Sequence, residues 1–319
     1  ILSPAKLNLS LRIKSKRIDN FHEIESNIQI IDLFDVIKIR LDDTVDGVEV
    51  ECTNKKIKES DNLAYIAANK FLEFFNIKSN IKIFIDKKIP LGSGLGGGSS
   101  NAASILIGLS KIFNLDRFED LYKIACEIGS DVPLFLFSRS AILTGRGETI
   151  NLIKSPPSLN FFLIVPNFSS YSTDMYSKWI ENETMINKYF EQKKPKTISF
   201  ADSNIELRND FLPILIGENN SFVEIFQILD SMGMNSYSVS GSGSSIFAII
   251  NQNESGKELM SYFESSSHYK TFICSSIEGW RFQIDWIWKK YLYHDDLYIL
   301  FGPSSNGRTL GFGPSNGGS

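Results

Sequence analysis

The sequence predicts a mixed α/β chain of two domains, and three observations predict it. Apolar residues alternate with a period of two through residues 1–50, recur at helical spacing over 62–76 and 105–113, and return to short strand-like runs at 161–165 and 246–250. The 319 residues suit two cores of ordinary size better than one. Pro156-Pro157 interrupts the chain near its middle, the natural boundary between the halves.

Each element follows in order. Leu7, Leu9, Leu11 and Ile13 share one strand face, as do Ile28 and Ile30, with Val36, Ile37 and Ile39 resuming after a break. Residues 62–76 carry Leu63, Ile66, Ala67, Phe71, Leu72 and Phe75 at helical spacing behind Asp61 as cap, and 81–85 is a strand. Pro90–Ser100 is a glycine-dense loop. The stripe Ile105, Leu106, Leu109, Ile112 and Phe113 makes the next helix, and 118–129 another. Leu134–Phe137 and Ala141–Leu143 are short buried segments ahead of the Gly145-Arg146-Gly147-Glu148 turn, which is read as structural.

Beyond the proline pair, 161–165 is a buried strand, with helices near 174–190 and 221–232 and a polar loop at 191–199 between them. Ser238–Gly243 is a second glycine turn before the strand at 246–250. Phe301-Gly-Pro-Ser recurs from Phe312, and the glycine-rich stretch 301–319 has too little apolar surface to offset its ordering entropy. Residues 281–300, with Trp286 and Trp288, read either as a further packed helix or as an extension.

Composition excludes several classes. With 42% hydrophobic and 22% charged residues the chain can build a core and is not a disordered one. Lys+Arg 33 against Asp+Glu 37 leaves −4, so no global basic field attracts nucleic acid. Cys52, Cys126 and Cys274 make no CxxC pair and no disulfide framework. Neither they nor His22, His268 and His294 have zinc-ligand spacing, so no resident metal site is expected. No run reaches the ~18–20 apolar residues of a membrane span, and no secretory leader is visible from Ile1. The expectation is a soluble intracellular protein.

The glycine loop carries the chemistry. Five of the seven positions from 92 to 98 are glycine, which lets backbone N–H groups approach a ligand closely. Ser99-Ser100 are read as caps of the helix that follows, and a helix N-terminus behind bare amides is an anion site, most naturally for phosphate. No Gly-Lys-Ser/Thr follows, so the loop is not a Walker A. Gly92–Gly97 satisfies G-x-G-x-x-G. Asp116, the candidate acid, follows the loop's own helix with no second strand between, which argues against a dinucleotide fold. The competing reading is a solvated linker, which the flanking strand and helix disfavour.

At these residues the sequence resembles the GHMP kinase superfamily. Pro90–Ala103 matches its ATP loop, Pro-x-x-x-Gly-Leu-Gly-x-x-Ser-Ser. Ser3-Pro-Ala-Lys-Leu-Asn-Leu9 and Gly129-Ser-Asp-Val-Pro-Leu-Phe135 resemble the opening and catalytic segments of one branch, and Ser240-Gly-Ser-Gly-Ser-Ser245 the third superfamily motif. The four stand in the expected order, and the resemblance spans roughly residues 1–280. It implies an α+β, two-domain GHMP kinase fold. Residues 1–155 would form an N-terminal ATP-binding domain with a left-handed β-α-β unit, 156–285 a C-terminal ferredoxin-like sandwich, and 286–319 an extension or disordered tail. The branch is that of ATP-dependent kinases acting on the 2-hydroxyl of 4-diphosphocytidyl-2-C-methyl-D-erythritol in non-mevalonate isoprenoid precursor biosynthesis.

The resemblance also implies roles. Asp131 would accept the hydroxyl proton and Lys6 would keep that carboxylate ionised beside it. ATP would lie on Pro90, Gly92, Gly94, Leu95, Gly96, Gly97, Gly98, Ser99 and Ser100, with Asn62 and Lys87 near the adenine. The substrate would meet Asn8, the pair Phe21-His22, and Tyr176 as a second aromatic against the cytosine. The family usually has Tyr where Phe21 stands and often Asp where Asn101 stands. Mg2+ would arrive with ATP, and Ser99 or Ser100 are the hydroxyls placed to touch it. The partner is a small-molecule substrate, with no nucleic acid and no membrane, and the chain a monomer or homodimer. The setting is bacterial cytoplasm, or plastid stroma if a transit segment is missing. Two other readings are weighed: a mevalonate, homoserine or sugar kinase of the same superfamily, which Phe21-His22 and Ser-Pro-Ala-Lys disfavour, and a non-catalytic RNA-binding module, which the net charge disfavours.

Overall fold

A computed structural model describes residues 1–16, 22–168, 172–199, 204–250, 253–264 and 268–280. The first sheet is organised by one long strand. β1 (Leu2–Asn8) and β2 (Arg12–Lys16) both pair antiparallel with β3 (His22–Leu41). The expected break between Ile30 and Val36 is not an interruption of the strand. At that point Pro4 pairs with Phe34 but Ala5 with Ile31, so one step along β1 matches three along β3. Burial in β3 moves from even positions through Ile30 to odd positions from Ile31. An irregularity of this kind re-aims a strand, and period-two reading sees it as a gap.

β4 (Val48–Cys52) and β5 (Ile81–Asp86) are parallel neighbours joined through α1 (Leu63–Phe74). The cap of α1 is Asn62, whose Oδ1 accepts the Ala64 N–H at 3.0 Å; Asp61 instead ends a short 3-10 turn. α2 (Gly97–Ile112), α3 (Phe118–Ile128) and α4 (Val132–Phe137) follow, then the antiparallel pair β6 (Ala141–Gly145) and β7 (Thr149–Leu152). The seven-stranded sheet runs β4-β5-β3-β6-β7, with β1 and β2 on β3. Phe71, Ile105, Leu109, Leu121, Ile124 and Leu134 pack the helices against it.

The second half holds β8 (Asn160–Pro166), α5 (Ser172–Gln192), β9 (Thr197–Ser199), β10 (Asn204–Glu206), α6 (Leu212–Glu218), α7 (Ser221–Ser231), β11 (Tyr237–Val239), β12 (Ile246–Ile250), α8 (Asn253–Glu264) and β13 (Tyr269–Ser275). Four of its strands form an antiparallel sheet in the order β11-β12-β8-β13. β9, α6, α8 and β13 were not expected from the sequence, and β9 closes the stretch read as a loop. Phe161–Val165 of β8 is a continuous apolar run because both its faces are covered. Phe162 and Ile164 meet the helices, while Phe161, Leu163 and Val165 meet Leu7, Leu9, Ile31 and Leu95 of the first half. That shared core brings the glycine loop and the second glycine turn together. Cys52, Cys126 and Cys274 are free thiols. Phe21 and residues 281–319 lie outside the described residues. Among the described residues no helix is long and apolar enough to cross a membrane.

Candidate active site

The glycine loop leaves β5 and turns into α2 through left-handed backbone at Gly92, Gly94 and Gly96, with φ of +59°, +76° and +71°. Gly96 is the residue that caps α2, and the helix starts at Gly97. Ser99 and Ser100 therefore sit in its first turn rather than capping it as expected. A left-handed glycine replaces the side-chain cap, leaving the first amides of the helix without an intrahelical acceptor. Ser100 is fully buried, and its hydroxyl shares a hydrogen bond of 2.8 Å with that of Ser3, fixing α2 to β1. The Lys6 N–H donates to Leu95 O at 3.0 Å, so β1 and the loop run as one edge.

The second glycine turn clamps the loop from the other half of the molecule. The Ser240 hydroxyl donates to Gly94 O at 3.1 Å and accepts the Asn8 N–H at 3.1 Å, and the Ser245 N–H donates to Ser93 O at 3.1 Å. Contact is so close that a Cβ on Gly94 would lie 2.2 Å from Ser240 O. Residues 240–245 are therefore more than a plain hairpin turn.

Lys6 and Asn8 project from the same face of β1, two residues apart. The Lys6 ammonium donates to Asn8 Oδ1, and Asn8 Nδ2 donates to Ser26 Oγ at 2.8 Å, which fixes the orientation of the amide. Lys6 Nζ lies 3.7 Å from Asp131 Oδ2. The two differ in access: the lysine side chain is 7% exposed, the aspartate 37%. Asp131 occupies the position preceding α4 yet makes no side-chain cap bond. A residue type that usually spends its carboxylate on a helix start keeps it available here.

Lys87 has a different environment. Its ammonium is paired with the fully buried Asp35, whose carboxylate also accepts the N–H of Lys88 at 2.7 Å and of Ile89 at 2.8 Å. A Cβ on Gly97 would lie 2.8 Å from Lys87 Nζ, so this charge stands against the start of α2 already compensated. Asn62 caps α1, whose first residue, Leu63, packs over Gly98 near the same helix start. It also borders a hollow of 240 Å³ lined by Val50, Cys52 and Ile57 and rimmed by Glu49, Glu51 and Glu59. The hollow is not where Lys6 and Asp131 meet; it lies on the β4 side of the loop.

The third group is aromatic. His22, at the start of β3, stacks on Tyr176 of α5 with centroids 5.6 Å apart and an interplanar angle of 12°, and meets Trp179 edge-on at 5.4 Å. Burial, and then the negative charge of Asp131, push the Tyr176 phenol up to about 12. The aspartate is thus near enough to Tyr176 for its charge to act on the phenol. Trp179 went unnoticed in the sequence; its position three residues after Tyr176, on the same helix face, is the signal that would have found it. Asp35 carries no comparable signal, and Ser240 stands out only as the first residue of the Ser240–Ser245 motif.

Among the described residues no three His, Cys, Asp or Glu side chains converge on a metal position. The Ser100 hydroxyl is engaged with Ser3.

Comparison with known proteins adds to this geometry. The GHMP kinases N terminal domain matches residues 62–139. A 4-diphosphocytidyl-2-C-methyl-D-erythritol kinase of Syntrophus aciditrophicus is 33% identical over 280 residues, 87% of this chain and 99% of that protein. One from Prochlorococcus marinus is 32% identical over 297 residues, 87% of this chain and 95% of that protein. The crystal structure of a 4-(cytidine 5'-diphospho)-2C-methyl-D-erythritol kinase superposes with a TM-score of 0.71 at 23% identity, covering 88% of this chain and 99% of that one.

Proposed function

The chain belongs to the 4-diphosphocytidyl-2-C-methyl-D-erythritol kinase family of GHMP kinases, and from that premise we propose that it transfers the γ-phosphoryl group of ATP to the 2-hydroxyl of that cytidine diphosphate conjugate. The observation that carries the proposal is the approach of Lys6 Nζ to Asp131 Oδ2 at 3.7 Å beside the glycine loop.

The triphosphate lies on the amides of the loop, from Pro90 and Gly92 through Gly94, Leu95, Gly96, Gly97 and Gly98 to Ser99 and Ser100. Bare N–H groups and a helix start favour the negative charge there. The adenine takes the side of Asn62 and Lys87; the hollow next to Asn62 offers Val50, Cys52 and Ile57 among the charged side chains of Glu49, Glu51, Lys55 and Glu59. Asn8, His22 and Tyr176 hold the substrate, the stacked pair receiving the cytosine and Asn8 the end near the reacting alcohol. Phe21, the other member of the sequence pair, lies outside the described residues.

Asp131 accepts the proton of the 2-hydroxyl as that oxygen bonds to the γ-phosphorus and the bond to the ADP oxygen breaks. Lys6 holds Asp131 ionised and offsets charge that builds on the transferring oxygens. Mg2+ carried on the triphosphate would neutralise phosphate charge. Most of the rate comes from positioning and charge neutralisation, since phosphoryl transfer asks little covalent chemistry of the protein. The setting that goes with this reading is bacterial cytoplasm or plastid stroma, with a monomer or homodimer as the working unit.

ADP release coupled to a reporter reaction tests it, with the cytidylylated methylerythritol, mevalonate, homoserine and galactose as acceptors. Turnover is expected with the first. Turnover with one of the others and none with the first would transfer the chain to another GHMP activity. Asp131→Asn is expected to lower kcat by ~10²–10⁴-fold in a folded protein.

A further inference from the structure

Past β13 the chain leaves the smaller sheet and crosses to the larger one. The Ser276 N–H donates to Leu159 O at 2.8 Å, and the next residue's, Ile277, to Ile30 O at 2.9 Å on β3. From there Glu278 and Gly279 bond to the segment that follows α4, and Trp280 bonds to the last turn of α4 itself. The Glu278 carboxylate accepts the Ser140 N–H at 3.0 Å, the Ser140 hydroxyl, and Arg139 Nε at 3.4 Å. The Gly279 N–H donates to Ser138 O at 2.7 Å, and Trp280 Nε1 to Leu136 O at 3.0 Å.

These partners are not arbitrary. α4 has six residues, too few to stand alone in water. Its last carbonyls have no intrahelical donor, and Ser138 ends it in left-handed backbone at φ +47°. Residues 276–280 supply donors to Leu136 O and Ser138 O from more than 130 positions away along the chain, and anchor the following residues through Glu278. Ser140 is tied in turn to β3, its hydroxyl accepting from Gln29 Nε2 at 2.6 Å. The other end of the helix is Asp131, about 9 Å away at 1.5 Å per residue. A helix this short moves as one body, so whatever fixes its far end fixes the aspartate.

We propose that Ser276–Trp280 is a positioning strap that sets Asp131 against Lys6 by holding the opposite end of α4. The strap acts through another residue and touches neither ATP nor acceptor. The proposal rests on the assignment of Asp131 as the group that receives the hydroxyl proton.

The test is a double-mutant cycle in the full chain, read by steady-state kinetics with ATP and the cytidylylated acceptor. Trp280→Phe removes the indole N–H and keeps the ring. The expected result is a kcat lowered about tenfold to 100-fold, since misplacement by 1 Å costs ~10²-fold, with both KM values within about twofold. In an Asp131→Asn background the same substitution is expected to cost nothing further, because the group it positions is already gone. A merely structural prop would cost the same factor in both backgrounds. Glu278→Gln, taken through the same cycle, provides a second strap variant if Trp280→Phe does not fold. Equal activity of the strap variants and the parent, or equal losses with and without Asp131, would overturn the strap. An unimpaired Asp131→Asn would instead overturn the assignment of Asp131 and the strap with it, and that result is read before any strap variant is made.

Discussion

Two walls of the same cleft are built on opposite principles. The phosphate side, Pro90–Gly98, is made of main chain: Gly92, Gly94 and Gly96 take left-handed backbone, Gly97 and Gly98 open α2, and the Gly94 and Ser93 carbonyls are clamped by the Ser240 hydroxyl and the Ser245 N–H. The cytidine side is made of side chains, His22 from β3 stacked on Tyr176 and edged by Trp179 from α5. A main-chain wall has no atoms to spare, so an added methyl either collides or is harmless according to where it points. A side-chain wall is redundant in surface and can lose part of a ring system gradually. The cleft therefore is expected to respond in steps on one side and by degrees on the other.

The largest effect should come from Gly94→Ala. Its Cβ would sit 2.2 Å from Ser240 O and 2.9 Å from Gly243 O, both backbone atoms, at a φ of +76° that L side chains avoid. Neither neighbour can rotate away, so the two glycine turns must separate. We expect a stability loss of about 3–5 kcal/mol, read as a lowered midpoint in thermal unfolding. A variant as stable as the parent would show that the second turn does not clamp the loop, and the step-like behaviour of this wall would go with it.

The aromatic side should respond less sharply. Base–aromatic stacking is worth about 1–3 kcal/mol, so Tyr176→Ala is expected to raise KM for the cytidylylated acceptor about tenfold to 100-fold and leave KM for ATP unchanged. Tyr176→Phe keeps the ring and should cost far less. The phenol is an acid whose folded value is raised to about 12 by burial and by Asp131. It therefore stays neutral through the range near 10 where an ordinary tyrosine ionises, and acceptor KM measured from pH 8 to 10.5 should show no step from this residue. A step near 10 that Tyr176→Phe abolishes would place the hydroxyl in open solvent, away from the aspartate.

The same contrast explains what could be read from the sequence. The glycine loop announces itself because a main-chain site needs unusual residues in one contiguous stretch. Lys6 and Asp131 carried only the weight of their motifs; alone, an Asp before Val-Pro reads as a helix cap, and only the structure shows that its carboxylate caps nothing. Ser240 bonds a carbonyl 146 positions away and Asp35 an ammonium 52 positions away, and no local pattern encodes such partners. The misplaced caps have a local cause: Asn62 stands next to Asp61, of equal capping reputation, while Gly96 starts its helix three residues ahead of the better-ranked Ser99 because it takes left-handed backbone. Among the missed elements, α6 carries Pro213, which reads as a breaker in sequence but is compatible with the first turn of a helix, where its missing N–H is not needed.

The smallest effect should come from the same loop, four residues past Gly94. Gly98 already lies within α2, and the nearest atom to a Cβ there is Leu63 Cδ1 at 3.6 Å, an ordinary contact. Its backbone is helical, a conformation alanine adopts without strain while losing less freedom on folding. Gly98→Ala is therefore expected to stabilise the free protein by about 0.4–1 kcal/mol, opposite in sign to Gly94→Ala. If the outward amides of this turn hold the triphosphate, the added methyl should be felt only when the nucleotide binds, as a raised KM for ATP in a protein that melts at a higher temperature. A higher melting point with unchanged KM for ATP would mean that the phosphates stop short of Gly98, and the cradle would then end at the left-handed glycines.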